Sequence, residues 1–106
     1  MSIFDFFRGP DINQGVQMYQ EAKGAALIDV REEDEYASGH IPGSKNVPLS
    51  NLGMISRVVP NKKTPLYVYC LSGGRSSQAT AMLVRMGYEV VNNIGGISGY
   101  SGKVER

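Results

Sequence analysis

Leu66-Tyr67-Val68-Tyr69-Cys70-Leu71-Ser72-Gly73-Gly74-Arg75-Ser76 is the stretch on which the fold turns. Its first five residues are apolar, aromatic or β-branched, the composition of a buried strand. Ser72-Gly73-Gly74 cannot continue a strand and forces a loop. From Ser76 to Met86 the period changes from strand to helix. Ala79, Met82, Leu83 and Met86 recur at helical spacing and predict an apolar stripe, core by spacing, with Gly87 as the terminator. Strand, small-residue loop and helix in succession are one half of a β-α-β unit.

Working outward, the same alternation repeats. Ala25-Ala26-Leu27-Ile28-Asp29-Val30 is a second buried strand. Glu32 to Ser38 is a short helix ended by Gly39, and Pro42-Gly43 is a turn. Pro48 opens a helix whose Leu49, Leu52, Ile55 and Val59 share a face and which Pro60 stops. Glu89 to Asn93 reads as another strand, after which Gly95-Gly96 turns the chain. Upstream, Asp11 caps a helix carrying Ile12, Val16 and Tyr19 on one face, weakened by Gly15. The expected fold is α/β, a mainly parallel central sheet with helices on both faces. Residues 1–106 form one domain with its core in about 12–100. The Phe-rich segment 1–11, with Phe4, Phe6 and Phe7, packs on that core or serves as a docking or dimer contact.

Composition narrows the function. Eleven Lys and Arg against ten Asp and Glu leave a net charge of +1, which offers no basic footprint for nucleic acid or an anionic membrane. No apolar run reaches the roughly 18 residues of a membrane helix, and the N-terminus lacks the basic region of a signal peptide. One Cys and one His, Cys70 and His40, cannot supply a zinc site, and no internal disulfide can form. A single free thiol suits a reducing compartment, so a cytoplasmic protein without metal or cofactor is expected.

The chemistry gathers on Cys70. It ends a strand of a parallel sheet, where sites of such folds lie. The loop glycines let several N–H groups curl inward, and the helix that follows adds unpaired N–H groups and partial positive charge. Arg75 adds a permanent cation. Leu71, Ser72, Gly73, Gly74, Arg75 and Ser76 thus form an anion cradle that favours thiolate, the nucleophilic form. A lone Cys as a small buried hydrophobe is the plain alternative, and Ser76 and Ser77 also read as helix caps.

The loop resembles the active-site loop of the rhodanese family, and the rest of the chain agrees. Ile28-Asp29-Val30-Arg31 resembles the family's DVR segment. Gly39-His40-Ile41-Pro42-Gly43-Ser44-Lys45-Asn46-Val47-Pro48 resembles its GHIPGAxNxP signature, and Gly87-Tyr88-Glu89-Val90 with Gly95-Gly96-Ile97 its closing segment. Tyr100 stands where many members place Trp. The resemblance implies a sulfurtransferase. Cys70 takes a sulfane sulfur from a donor such as thiosulfate, becomes a persulfide, and passes the sulfur to cyanide, a small thiol or a protein. Asp29 and Arg31 are expected to support the site as an ion pair, and His40 to brace its loop. The alternatives are a persulfide carrier that binds a partner and, further off, a Cys-based phosphatase or arsenate reductase. Phosphatase loops read Cys-x5-Arg, whereas four residues separate Cys70 from Arg75.

Overall fold

A computed structural model describes residues 9–106, so the expectation for Phe4, Phe6 and Phe7 lies outside the described residues. Four parallel strands, β1 (Ala26–Asp29), β2 (Ser44–Asn46), β3 (Leu66–Cys70) and β4 (Val91–Gly96), form one sheet in the order β2-β1-β3-β4. From β1 the chain first steps outward to β2, then crosses back to β3 on the other side. The order therefore reverses between β1 and β3, and the carboxyl ends of these two strands flank the crevice where parallel sheets place their sites.

Alternation along the strands sorts the core into two layers. Ile28, Val30, Leu66, Val68 and Cys70 face one side, where they meet a 3₁₀ turn (Leu49–Met54), α3 (Ile55–Val58) and α4 (Gly74–Arg85) through Leu52, Ile55, Val59, Ala79 and Leu83. Leu27, Tyr67 and Tyr69 face the other side and meet Ile12 and Val16 of α1 (Ile12–Glu21). A fully buried side chain such as Leu83 contributes about 1.5–3 kcal/mol. α2 (Glu33–Ser38) links β1 to β2.

Several local expectations shift. α4 starts at Gly74 rather than Ser76, because Gly73 can take the left-handed conformation (φ +107°) that caps it. Its buried stripe runs Ser76, Ala79, Leu83 with Met86 partly buried; Met82, expected in the core, is 40% exposed at the edge of that stripe. The helix expected after Pro48 is a 3₁₀ turn followed by a single α turn, broken at Asn51 (φ −139°). The last strand lies at Val91–Gly96 instead of Glu89–Asn93, so Gly95 and Gly96 belong to the sheet rather than to a turn, with a register shift opposite Val68/Tyr69. Gly15 marks where α1 touches β4: a Cβ there would sit 2.3 Å from the Cβ of Ile94.

Candidate active site

β3 delivers Cys70 to the face covered by α4, and the loop then folds over it. Gly73 donates its N–H to Cys70 Sγ at 3.0 Å. It does so from positive φ, a conformation that a residue with Cβ adopts only at a cost. The Cys70 thiol donates to Ser76 Oγ at 3.4 Å. Cys70 is 1% exposed and Ser76 is fully buried in the first turn of α4. Burial pushes the thiol pKa up. The Ser76 hydroxyl and the N–H groups of Ser76, Gly73 and Ser72 outweigh it, so the pKa lies below the ordinary value of 9.0.

β4 supports this loop from beneath. A Cβ on Gly96 would lie 2.2 Å from the carbonyl oxygen of Leu71, a backbone approach only glycine permits. Ser98 N–H donates to the same oxygen at 3.1 Å. The Leu71 side chain itself points outward, 45% exposed.

Arg75 is placed differently from a bare cation over the sulfur. Its guanidinium forks onto Glu35 of α2, Nη1 to Oε2 at 2.6 Å and Nη2 to Oε1 at 2.9 Å. Glu35 also accepts the N–H of Glu32 at 2.9 Å, closing a capping box at the start of α2. The hydrogen bonds from Arg75 and from the Glu32 backbone hold its carboxyl down at about 2.

Asp29 and Arg31 lie beyond the neighbouring strand end. Asp29 is fully buried and takes Arg31 Nε at 3.1 Å and Nη2 at 2.8 Å. Arg31 Nη2 also donates to the carbonyl of Gly39 at 2.7 Å, so the pair ties the end of β1 to the end of α2. Asn46 donates to the carbonyls of Asp29 and Arg31 at 3.0 and 2.8 Å. His40 stacks on Tyr36, with Nδ1 2.9 Å from the Tyr36 carbonyl oxygen, and exchanges backbone hydrogen bonds with Glu105. The segment from Asp29 to Asn46 is thus a bracket beside the cradle; Ser72, Gly73 and Ser76 surround the Cys70 sulfur.

Three contributors escape the sequence reading. Glu35 carried a signal, an acid three residues after a helix start. Tyr69, fully buried on β3, accepts the N–H of Ile41 and bonds Ser44 Oγ, both at 3.1 Å; its spacing marks it only as core. Asn93 accepts from Ser76 Oγ at 2.7 Å and from Gly95 N–H at 3.1 Å. Its signal was a polar pair, Asn92-Asn93, inside an apolar strand. Among the described residues no cluster of side chains suited to a metal ion occurs, and no helix is long and apolar enough to cross a membrane.

Comparison with known proteins gives a consistent result. The model of the family described as Rhodanese-like domain matches residues 13–103. Thiosulfate sulfurtransferase PspE of Escherichia coli is 41% identical over 71 residues, 66% of this chain and 68% of that protein. YqhL of Bacillus subtilis is 40% identical over 82 residues, 76% of this chain; the match spans only 64% of YqhL, a little under two thirds of its length. A solved structure described as a rhodanese with anions from E. coli superposes with a TM-score of 0.72 at 35% identity, covering 77% of this chain and 98% of the other.

Proposed function

Because the chain belongs to the rhodanese-like family, we propose that it is a sulfurtransferase that carries a sulfane sulfur on Cys70. In the first step the Cys70 thiolate attacks the outer sulfur of a donor such as thiosulfate. A new S–S bond forms as the donor's own S–S bond breaks, and its electron pair leaves on sulfite. Cys70 is then a persulfide. In the second step the thiolate of a small molecule or protein, or cyanide in an assay, attacks the outer sulfur, and the electron pair returns to Cys70. The sulfur moves as a neutral atom between the two nucleophiles, so the steps balance with no outside oxidant or reductant and no cofactor.

The observation that carries this reading is the Gly73 N–H aimed at Sγ at 3.0 Å, with the Ser76 hydroxyl beside it. Donors that converge on the sulfur stabilise the thiolate that attacks in the first step and leaves again in the second. The four-residue spacing to Arg75 supports the same choice. A phosphoryl group needs donors around three more distant oxygens and an acid for the leaving group. Aryl phosphates should therefore be turned over negligibly.

Intact-mass analysis tests the reading. Thiosulfate should add about 32 Da to the wild-type chain, cyanide should remove it, and Cys70→Ala should stay unmodified, as a covalent intermediate on one nucleophile requires. An unmodified wild-type protein whose thiol is shown to be free would refute thiosulfate as donor. Robust Cys70-dependent phosphatase activity would refute the reaction class.

A further inference from the structure

We infer that Asn93 is a positioning residue that governs the ionisation of Cys70 by holding the one proton of the Ser76 hydroxyl away from the sulfur. Asn93 lies on β4 and is half-buried beneath the loop. The Gly95 N–H donates to its side-chain oxygen at 3.1 Å, which fixes the amide, since an N–H cannot donate to an NH₂ group. Ser76 Oγ lies 2.7 Å from that same oxygen. A carbonyl oxygen only accepts, so the hydroxyl must be the donor. The other acceptors within reach, the carbonyls of Gly73 and Gly95, are longer at 3.1 and 3.4 Å. With its proton committed to Asn93, Ser76 presents a lone pair to Cys70, and the thiol donates to it at 3.4 Å.

A thiolate reverses this arrangement. The sulfur can then only accept, and a charged acceptor draws the stronger hydrogen bond. The Ser76 hydroxyl must swing from Asn93 to the sulfur, so the bond it gives up opposes ionisation. When the sulfur cargo arrives, the negative charge moves to the outer atom of the persulfide and the inner sulfur becomes neutral. The hydroxyl is then free to return to Asn93. Ser76 is a rotor that follows the charge on Cys70, and Asn93 is its rest position. Among the described residues, Arg75 is in electrostatic contact with Cys70 and is itself paired with Glu35; both are unchanged in the variants below.

The inference rests on Cys70 being the reacting group, but its readout is the thiol itself. Thiolate absorbance, taken as a difference from Cys70→Ala, is followed against pH. Asn93→Leu removes the acceptor and should lower the midpoint by about half to one pH unit; Asn93→Asp, a stronger and charged acceptor, should raise it by a similar amount. In a Ser76→Ala background the effect of Asn93→Leu should vanish, because the two residues act through one hydroxyl. Asn93→Ala replaces the leucine variant if that protein does not fold. A midpoint that rises or stays put in the acceptor-free variant, or one that moves equally without Ser76, overturns the inference. A shifted midpoint in a chain that takes up no sulfur keeps the inference and removes the proposed function; sulfur uptake with an unmoved midpoint does the reverse.

Discussion

The carboxyl ends of β1 and β3 lie side by side and are built on opposite physics. Beyond β1, the segment from Asp29 to Glu35 is charged, and its key charges are compensated within the fold: Asp29 by Arg31, Glu35 by Arg75. Beyond β3, the segment from Cys70 to Gly74 has no charged side chain and packs glycine backbone against glycine backbone. A closed set of ion pairs holds geometry but has little left to give a substrate. Uncompensated N–H groups around a buried sulfur hold little by themselves but are available to any negative charge that develops there. On the proposed function the bracket would supply rigidity and the cradle reactivity, and the Arg75–Glu35 pair is the contact that joins them.

Asp29→Asn should separate the two roles most widely. It leaves the buried Arg31 cation without its partner, a change that costs about 3–5 kcal/mol. The urea midpoint should fall accordingly. The rate of sulfur uptake per folded molecule should stay within about threefold, since neither residue donates to the sulfur. A stable variant with a collapsed rate would place Asp29 in the chemistry and erase the distinction.

Gly96→Ala strikes the cradle instead. The added methyl lies 2.2 Å from Leu71 O and 2.6 Å from Ser72 Cα, so backbone must give way to backbone. Overpacking of this kind costs about 1–3 kcal/mol, less than the loss of Asp29. The displaced loop should slow persulfide formation by about tenfold or more, because small misplacements of reacting groups are costly. Stopped-flow rates alongside thermal melts measure both. A melt that drops with the rate untouched would mean that the loop tolerates displacement and that its N–H groups are not held for catalysis.

The unequal legibility of the two regions has the same origin. Leu66–Cys70 could be read to the residue, because a buried strand needs apolar side chains at every position and the glycines mark its end. Asp29 and Arg31 stand two residues apart at a strand end, close enough in the chain for an ion pair to be read from sequence, and the two side chains are hydrogen-bonded to each other. β4 runs through Gly95 and Gly96, where local pattern predicts a turn, because its glycines serve as contact points for another backbone, a role that no local pattern reveals. The contacts of Asn93 and Glu35 are not legible locally because their partners lie 17 and 40 residues away in the chain. Met82 lies at the exposed edge of the stripe because periodicity defines a stripe but not its width.

Glu35→Gln tests the contact between the two regions and should have the smallest effect. Both side chains of the pair are about 30% exposed, 29% for Glu35 and 32% for Arg75, so solvent screens the bridge and it contributes less at neutral pH than a buried pair would. Its pH dependence gives the sharper signature. The carboxyl of Glu35 titrates at about 2 in the folded chain against an ordinary 4.5. A depressed folded-state pKa stabilises fully above the unfolded value, and that stabilisation is lost as pH falls through the folded one. The advantage of the wild type over Glu35→Gln should therefore be constant above pH 4.5, shrink between 4.5 and 2, and vanish below. Denaturant titrations of both proteins across that window measure it. If the difference stays flat from neutral pH down to about 2, the carboxylate charge is not what holds Arg75, and the link between bracket and cradle must be packing rather than an ion pair.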